Sequence, residues 1–448
     1  MTIQPEERKI KVAVIGTGPG GLATIINLRR IPFVDVSAYD QATELREVGA
    51  GISINENTWR HLKLLDAAEA IQQYTNKGDP TKIDGEQRNG LTGELLSQKL
   101  QRVNPNDPDA PPRSRIERYK LQNALLGQVP KNFIQLSKRL SKIEETPKGI
   151  RLTFQDDTTA GPFDLLVGAD GIRSAVRQYA FPDHKLSYTG KVAYRTLIPQ
   201  SAVAHIPGIP QSSAFWHTKD THVYTDPLDN GLFEIATRAI EPEEQVKKVS
   251  WGQKVNKSQV IPHYEGYCET IRQVIAAPDE WLEFAMFGGP RLESVISNGN
   301  IALLGDASHP LSGAFGSGAA FAFEDAYILA QALRYTHEHK QPISKALTLY
   351  DEVRSPHYKG LYEILNSFGT NAKELEAIQP PLSENEYINE RTRRNWNAEN
   401  QWIYKYNVAN VWKDYVQLLD VNKDLSKLDI EKIEKHEQKI APAVTVSV

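Results

Sequence analysis

The sequence predicts an α/β protein: a parallel-stranded domain that is interrupted by an antiparallel sheet domain and followed by a helical C-terminal region. Three observations predict this fold class. Glycine-rich turns follow short apolar runs at three distant places, as expected of buried parallel strands. Between the second and third turns, runs such as KVAYRTLI and LFEIATRAI are typical of an antiparallel sheet. The last part of the chain is polar, with helical spacing. The predicted divisions are 1–185 and 288–365 for the parallel domain, 186–287 for the sheet and 366–448 for the helical region.

The first turn has the spacing of a dinucleotide-binding, Rossmann-like βαβ unit. An apolar run at 11–15 predicts a strand, and Gly16, Gly18 and Gly21 follow it. Such glycines permit a tight turn, close approach of the backbone to a pyrophosphate and close packing of helix on strand. A second predicted strand ends in Asp40, about 20 residues on, where a carboxylate binds a ribose hydroxyl. A glycine turn with a surface aspartate is the alternative, and the ordered succession of elements favours an adenosine diphosphate site.

The second and third turns occur in LLVGADGIRSAVR and NGNIALLGDASHPLSGAFGSGAAFAFEDA. Asp170 lies in the second turn, where an ordinary strand–turn–helix is the alternative. Asp306 ends the strand of the third segment, and a helix is predicted to begin near Gly316. The unpaired N–H groups at such a helix start favour an anion.

These three segments, in this order, resemble the single-component FAD-dependent aromatic hydroxylases over most of residues 8–365. The resemblance implies FAD, bound noncovalently because no histidine or cysteine stands at an attachment motif. It makes Asp306 a ligand of the ribityl chain and places Pro310 over the isoalloxazine face. The remaining implied FAD contacts are the Asp170 turn, the helix start at Gly318 and Ala319, Arg118 in RIERYKLQNALL, and the backbone at Gly49 to Ile52, including Gly51, for which a surface loop is the alternative. Glu117 stands where the family often has histidine and receives no role, and Glu324 and Asp325 are interpreted as structural.

Candidate substrate residues lie in the predicted sheet. Arg195 matches a position where relatives place an arginine beside substrate or flavin, with a structural ion pair as the alternative. His222, Tyr224 and Asp226 share one strand face because they are two residues apart. Asp226 occupies the family's tyrosine position, so Tyr224 is the substitute for activating a phenol. Trp216, better suited to the core, and His217 are further candidates for the same wall, and His309 is a candidate flavin neighbour and proton relay.

The segment GDASHPLSGAFGSGAAFAFEDA, with FGGPRLESV and WIYKYNV, most resembles the fungal salicylate and hydroxybenzoate 1-hydroxylases. The resemblance implies oxidative decarboxylation of a monohydroxybenzoate with O2 and NADH or NADPH. It favours 4-hydroxybenzoate giving hydroquinone and CO2 over salicylate giving catechol, and a hydroxylase that retains the carboxylate stays open. Two other classes also stay open: an NAD-dependent dehydrogenase that uses only the first motif, and a flavin-bearing interaction protein.

Composition limits the other functions. The chain has 448 residues and a formal net charge of -4, which argues against a nucleic-acid partner. A single cysteine, Cys268, excludes an internal disulfide, and no CxxC or HExxH spacing suggests a metal. The longest apolar stretch, 313–333, contains Glu324 and Asp325, so no membrane span is expected. We expect a cytoplasmic enzyme, monomeric or homodimeric, that acts on a small aromatic acid.

Overall fold

The computed structural model describes residues 8–45, 51–75, 79–102, 111, 113–228, 231–242, 252–311, 315–396 and 402–421. The strands are β1 (Ile10–Ile15), β2 (Val34–Tyr39), β3 (Gly51–Ile54), β4 (Ile83–Asn89), β5 (Leu95–Leu100), β6 (Ser114–Glu117), β7 (Ile134–Gln135), β8 (Leu140–Thr146), β9 (Gly149–Phe154), β10 (Thr159–Phe163), β11 (Leu165–Gly168), β12 (Ser187–Pro199), β13 (Ser213–His217), β14 (His222–Pro227), β15 (Leu232–Ile240), β16 (Gln253–Asn256), β17 (Glu280–Gly288), β18 (Ile296–Ser297) and β19 (Ile301–Leu303). The helices are α1 (Pro19–Arg29), α2 (Glu56–Leu64), α3 (Ala68–Gln72), α4 (Arg118–Leu126), α5 (Ala175–Ala180), α6 (Lys257–Val260), α7 (Glu269–Ala276), α8 (Gly318–Glu338), α9 (Ile343–Glu376), α10 (Glu384–Asn395), α11 (Trp402–Lys405) and α12 (Val408–Asp420).

The parallel domain is built on a six-stranded sheet in the order β18-β19-β11-β1-β2-β7. Strands β19, β11, β1, β2 and β7 run parallel, and only β18 is antiparallel to its neighbour. The three glycine-rich turns follow β1, β11 and β19, which are adjacent in this order. Because the carboxyl ends of parallel strands meet at one edge of a sheet, the fold brings all three turns together, where ligands bind in such sheets.

The second domain is an eight-stranded sheet in the order β16-β17-β12-β15-β14-β13-β4-β5. One face packs on α6, α7 and the turn between them, around Tyr194, Trp216 and Trp281. Strands β4 and β5 come from the polar stretch 76–115, whose proline and glycine residues are typical of loops or edge strands, and β5 is the edge strand. Most residues of these two strands are half-buried, and their sequence lacks the strong apolar alternation of the central strands.

The C-terminal region is helical, as predicted, but its boundary differs. Helix α9 continues from the parallel domain through residue 366 to Glu376; it ends shortly before Pro380 and Pro381, which cannot continue a helix. The charged run 423–439 and part of the aromatic cluster at 396–412 lie outside the described residues. No helix among those described is both long enough and apolar enough to cross a membrane.

Candidate active site

The first glycine turn has the geometry that its sequence predicts. Gly16 has φ +92°, and a Cβ there would lie 2.4 Å from the Ala169 carbonyl oxygen. A Cβ on Gly21 would lie 2.0 Å from the Gly16 carbonyl oxygen, so α1 approaches the turn this closely only with glycine. Gly18 precedes α1, and a Cβ there would have no heavy atom within 4 Å in the part of the chain that is described. The helix start is therefore open to a phosphate.

Asp40 lies at the end of β2, but part of its carboxylate is already used. Oδ2 accepts hydrogen bonds from the Thr17 amide at 2.7 Å and the Thr17 hydroxyl at 2.6 Å. Oδ1 accepts one from the Ala42 amide at 2.8 Å. A carboxylate has about four lone-pair sites, so Oδ1 keeps room for one more donor. Binding of a ribose hydroxyl by Asp40 stays a prediction.

Asp170 connects the second turn to a helix. Its Oδ2 accepts from the Ala175 amide at 2.7 Å at the start of α5, while Oδ1 is buried without a hydrogen-bond partner among the described residues. Burial raises the pKa of this carboxyl, although the helix amides oppose the shift. A buried oxygen without a donor is a site where a ligand hydroxyl or amide would fit. Arg177 joins this turn to the third one by donating to the Ala307 carbonyl at 2.9 Å.

The third turn presents a charged group and a helix start. Asp306 is exposed, although Gly305 and the residues 307–310 around it, including Pro310, are buried. Helix α8 begins at Gly318, two residues later than expected, after Gly316 with φ +63°. Gly318 and Ala319 provide the first amides of this helix, and a Cβ on Gly318 would again meet no described heavy atom within 4 Å. The two open helix starts, the unpartnered Asp170 oxygen and the Asp306 carboxylate fit a dinucleotide cofactor.

The side chain of His309 points away from that edge into a buried ionic cluster between α8 and α9. Its Nε2 lies 3.0 Å from Asp325 Oδ2, and its ring stacks on Tyr358 at 3.9 Å. Arg354 donates to Asp325 at 2.8 Å and to Glu324 at 2.9 Å. The interpretation of Glu324 and Asp325 as structural is consistent with this position, whereas the relay role of His309 stays a prediction. We call Glu324, Asp325, Arg354, Tyr358 and His309 the helix-pair cluster.

The predicted substrate residues share one face of the eight-stranded sheet, opposite its core. Arg195 and Tyr224 both pair in register with Ala236, and Tyr224 pairs with Phe215 on its other side. His222 pairs with His217 in the next row, while Trp216 points into the core, as preferred for it. The face that carries Arg195, Phe215, His217, His222, Tyr224, Asp226 and Glu234 is called the polar face below.

Two arginines that the sequence reading did not single out organise this face. Arg113 donates to the Tyr224 hydroxyl at 2.5 Å and to Asp226 Oδ2 at 2.8 Å. Arg115 forms a very short contact with Glu234, and its guanidinium lies 5.4 Å from the Tyr224 ring centroid. The signal for both was the alternating RSRIE, which places the two arginines on one side of an extended segment. We call Arg113, Arg115, Tyr224, Asp226 and Glu234 the sheet-face cluster.

The electrostatics of the polar face assign different states to its members. Burial raises the pKa of Tyr224 above its usual value, although Arg113 and Arg115 oppose the shift; its hydroxyl also makes a very short hydrogen bond to Asp226. Tyr224 therefore stays protonated near neutral pH, and its predicted role narrows to that of a hydrogen-bonding hydroxyl. Burial, assisted by Arg238, lowers the pKa of His222 well below its usual value, so the imidazole is neutral.

Arg195 differs from the other arginines of this face. Its guanidinium lies 5.8 Å from the Phe284 ring centroid, and among the described residues no carboxylate lies within ion-pair distance of it. Burial lowers the pKa of Arg195, against the pull of Glu234. A desolvated guanidinium without a bound carboxylate can hold a planar anion through two hydrogen bonds.

Strand β3 connects the polar face to the cofactor edge. At its start, the Gly51 amide donates to Glu234 at 3.1 Å; directly after its end, Asn55 donates to Ser317, before α8, at 2.7 Å. Four residues of extended chain span about 14 Å, so the two sites are neighbours. Gly49 lies outside the described residues, and the predicted flavin contacts of Gly51 and of Arg118, at the start of α4, stay predictions. Glu117 has a local partner, Lys120 at 3.1 Å.

The comparisons agree with this geometry. A curated relative, 6-methylsalicylate 1-monooxygenase of Aspergillus terreus, is 27% identical over 92% of each chain. Salicylate hydroxylase of Pseudomonas putida is 26% identical over 78% of this chain and 82% of its own. A solved salicylate hydroxylase substrate complex superposes with a TM-score of 0.72 at 23% identity, over 90% of this chain and 97% of that one; it shows the same fold.

Fold, site and relatives define the class: the protein is an FAD-dependent flavoprotein monooxygenase of the aromatic hydroxylase type. The FAD binding domain family matches residues 9–363, and the chain belongs to this family. The predicted fold class and the predicted FAD cofactor are thereby confirmed. This assignment replaces the two alternatives, an NAD-dependent dehydrogenase and a flavin-bearing interaction protein.

Proposed function

We propose that the protein catalyses the oxidative decarboxylation of a monohydroxybenzoate, with 4-hydroxybenzoate giving hydroquinone and CO2 as the preferred reaction. The observation that carries the proposal is the charge of the polar face. Four arginines, Arg113, Arg115, Arg195 and Arg238, lie on or against this face with the carboxylates of Asp226 and Glu234, so positive charge is in excess beside the cofactor edge. An aromatic carboxylate or phenolate supplies the missing anion.

FAD, reduced by NADH or NADPH, supplies the oxygen-activating chemistry. This chain would hold it noncovalently at the open start of α1, with Asp306 on the ribityl hydroxyls and the first amides of α8 on the ring. With FAD bound, the start of α8 would stabilise negative charge on the ring, by the same electrostatics as an oxyanion hole.

The polar face binds and orients the aromatic acid. Arg195 holds one anionic group of the substrate in two-pronged fashion. The Tyr224 hydroxyl, fixed by Arg113 and Asp226, is preorganised for a second polar contact. The neutral imidazole of His222 can accept a hydrogen bond from a phenol hydroxyl, but its lowered pKa makes it too weak a base to hold the phenol proton near neutral pH. The apolar rings of this face exclude water from the reacting carbon.

Salicylate giving catechol is the second candidate. The two relatives named above support it, because both names refer to salicylates. The preference for 4-hydroxybenzoate depends on the resemblance and on Asp226 at the family's tyrosine position. Both substrates have the hydroxyl ortho or para to the carboxylate, which activates the ring carbon that bears the carboxylate.

A panel of 2-, 3- and 4-hydroxybenzoate, with NADH or NADPH, tests the proposal. Oxygen uptake, ring product and released CO2 are measured together. We expect one CO2 per turnover, a dihydroxybenzene product and a poor response to 3-hydroxybenzoate, whose meta hydroxyl does not activate the carboxylated carbon. Salicylate as the only good substrate would reverse the order of the two candidates. Hydroxylated products that keep the carboxylate would replace the proposal by plain aromatic hydroxylation.

A further inference from the structure

The C-terminal region reaches the polar face of the sheet. Trp396, directly after α10, has its ring centroid 5.0 Å from that of Phe215 and 6.0 Å from that of His217. Its side chain remains 38% exposed, which is a large exposed fraction for an indole in contact with two other rings. A tilted pair of rings with a free edge offers apolar surface to a third ring.

Helix α10 is fixed to the sheet by polar contacts. Asn89, at the end of β4, donates to the side-chain oxygens of Asn385 and Asn389, both at 3.1 Å. Arg391 donates to the Thr218 carbonyl at 3.3 Å, just after β13. These contacts hold one side of α10 against strands β4 and β13, which places Trp396 at a defined position over the polar face.

A second part of the same region contacts the segment that leads into α8. The Tyr404 hydroxyl donates to the Phe315 carbonyl at 3.1 Å, and the Ile403 carbonyl accepts from Asn57 at 3.3 Å. Burial raises the pKa of Tyr404, while the charge of Arg113 opposes the shift. Tyr404 is therefore close enough to Arg113 of the sheet-face cluster for the charge of that arginine to affect it. Its hydroxyl is hydrogen-bonded to the segment that precedes α8.

We propose that the C-terminal region forms a wall of the substrate site, in addition to the polar face and the cofactor edge. In this wall, Trp396 is a specificity-determining residue for the aromatic ring, and Tyr404 is a positioning residue for the start of α8. The inference rests on the proposed function insofar as it needs an aromatic substrate on the polar face. It assigns a role to a region that lies largely beyond the matched family domain, which ends at residue 363.

Trp396→Ala and Trp396→Leu test the wall, with Trp412→Phe in α12 as the matched control, since Trp412 packs on Tyr335 and Tyr415. We expect KM for the best hydroxybenzoate to rise about threefold to tenfold, on the scale of one aromatic contact, with more oxygen consumed per product. FAD content should stay constant. If Trp396→Ala lowers the unfolding temperature, the role of Trp396 is judged from Trp396→Leu, which keeps a large apolar side chain. Unchanged KM and coupling in the folded variant overturn the role of Trp396.

Tyr404→Phe removes one hydroxyl, and Tyr415→Phe is its control, because the Tyr415 hydroxyl bonds to Glu352 between α12 and α9. For Tyr404→Phe we expect FAD to bind about threefold to tenfold more weakly, on the scale of one hydrogen bond, with a shifted flavin absorption band. The control should match the wild type. FAD affinity is measured without substrate, and KM with whichever hydroxybenzoate turns over fastest. A wrong substrate assignment therefore leaves both readouts intact, whereas identical FAD affinity and spectra in Tyr404→Phe overturn its positioning role.

Discussion

Two buried ionic clusters in this protein are both built from arginines and carboxylates, but they differ in the balance of positive and negative charge. In the helix-pair cluster, Arg354 is fully buried between Glu324 and Asp325. In the sheet-face cluster, Arg113 and Arg115 hold Asp226 and Glu234, and Arg195 lies on the same face. The helix-pair cluster has one arginine for two carboxylates. The sheet-face cluster has two arginines for two carboxylates, and Arg195 and Arg238 add further positive charge on the same face. In the helix-pair cluster both ion pairs of the arginine are with protein carboxylates, whereas Arg195 on the polar face has no carboxylate within ion-pair distance among the described residues.

The difference also appears in the protonation states. Burial raises the pKa of Glu324 to about 7, although Arg354 opposes the shift, so the helix-pair cluster can take up a proton to reduce its negative charge. On the polar face, burial lowers the pKa of Arg195, but an arginine remains charged at any physiological pH. The proposed function makes the aromatic acid the anion that balances this charge.

We expect the largest loss of stability when the helix-pair cluster loses its arginine. Arg354→Met leaves two buried carboxylates without a cation, which costs about 3–5 kcal/mol of stability. We expect little folded protein, or a large fall in the urea midpoint of unfolding. Arg393→Met, which removes an exposed arginine from its pair with Glu390, is the control and should behave as the wild type. A normal midpoint for Arg354→Met would mean that the cluster is not needed for folding.

Loss of flavin is expected from Asp306→Ala. The exposed carboxylate has no structural partner to lose among the described residues, so the fold should remain intact. A charged hydrogen bond contributes about 1.5–3 kcal/mol, and FAD should bind roughly tenfold to a hundredfold more weakly. Asp279→Ala, at an exposed aspartate before β17, is the control. Flavin fluorescence titration measures both; equal affinities would refute the assignment of Asp306.

Arg195→Ala separates substrate binding from cofactor binding. We expect KM for the aromatic acid to rise about tenfold, the lower end for a charge-assisted hydrogen bond, while FAD affinity stays unchanged. Arg195→Lys keeps the charge but loses the planar fork, so it should recover only part of the affinity. Steady-state kinetics with coupled oxygen measurement provide the test. Normal KM and coupling in Arg195→Ala would favour the structural alternative for this residue.

The sequence alone predicts that three turns meet at the cofactor edge, because each turn is recognised from a short local segment. Gly16, Asp170 and Asp306 each follow an apolar strand, and parallel topology alone brings strand ends together. The sheet-face cluster was not predictable in the same way. Arg113 contacts Asp226 across more than a hundred residues, and the family resemblance marks Asp226 only as the occupant of a tyrosine position. The contact of Trp396 with Phe215 depends on how α10 docks on the sheet, for which no local pattern exists.

The last prediction concerns the pH dependence of the helix-pair cluster. Because the pKa of Glu324 is about 7 in the folded protein against 4.5 ordinarily, the folded state binds a proton between about pH 4.5 and 7 that the unfolded chain has released. Stability from this group therefore falls as the pH rises through that window. Asp325 has the opposite sign: although burial opposes the shift, Arg354 and His309 hold its pKa below the usual value, so its contribution is lost only in strong acid.

Glu324→Gln isolates the first of these contributions. The amide is neutral at every pH, and its oxygen can still accept from Arg354, although its NH2 group cannot accept from Asn57 as the second carboxylate oxygen does. The variant should therefore lose the slope while it keeps the volume of the side chain. Urea midpoints at pH 5.5 and pH 7.5 (roughly either side of the shifted pKa) give the measurement: the wild type should lose more stability between them than Glu324→Gln does. Asp325→Asn is the counterpart: it removes an ionised carboxylate whose charge helps to raise the pKa of Glu324, so it should be less stable at both pH values and show a smaller difference between them than the wild type. Parallel pH dependence in the wild type and Glu324→Gln would show that Glu324 stays ionised, and the helix-pair cluster would then carry its excess negative charge unrelieved.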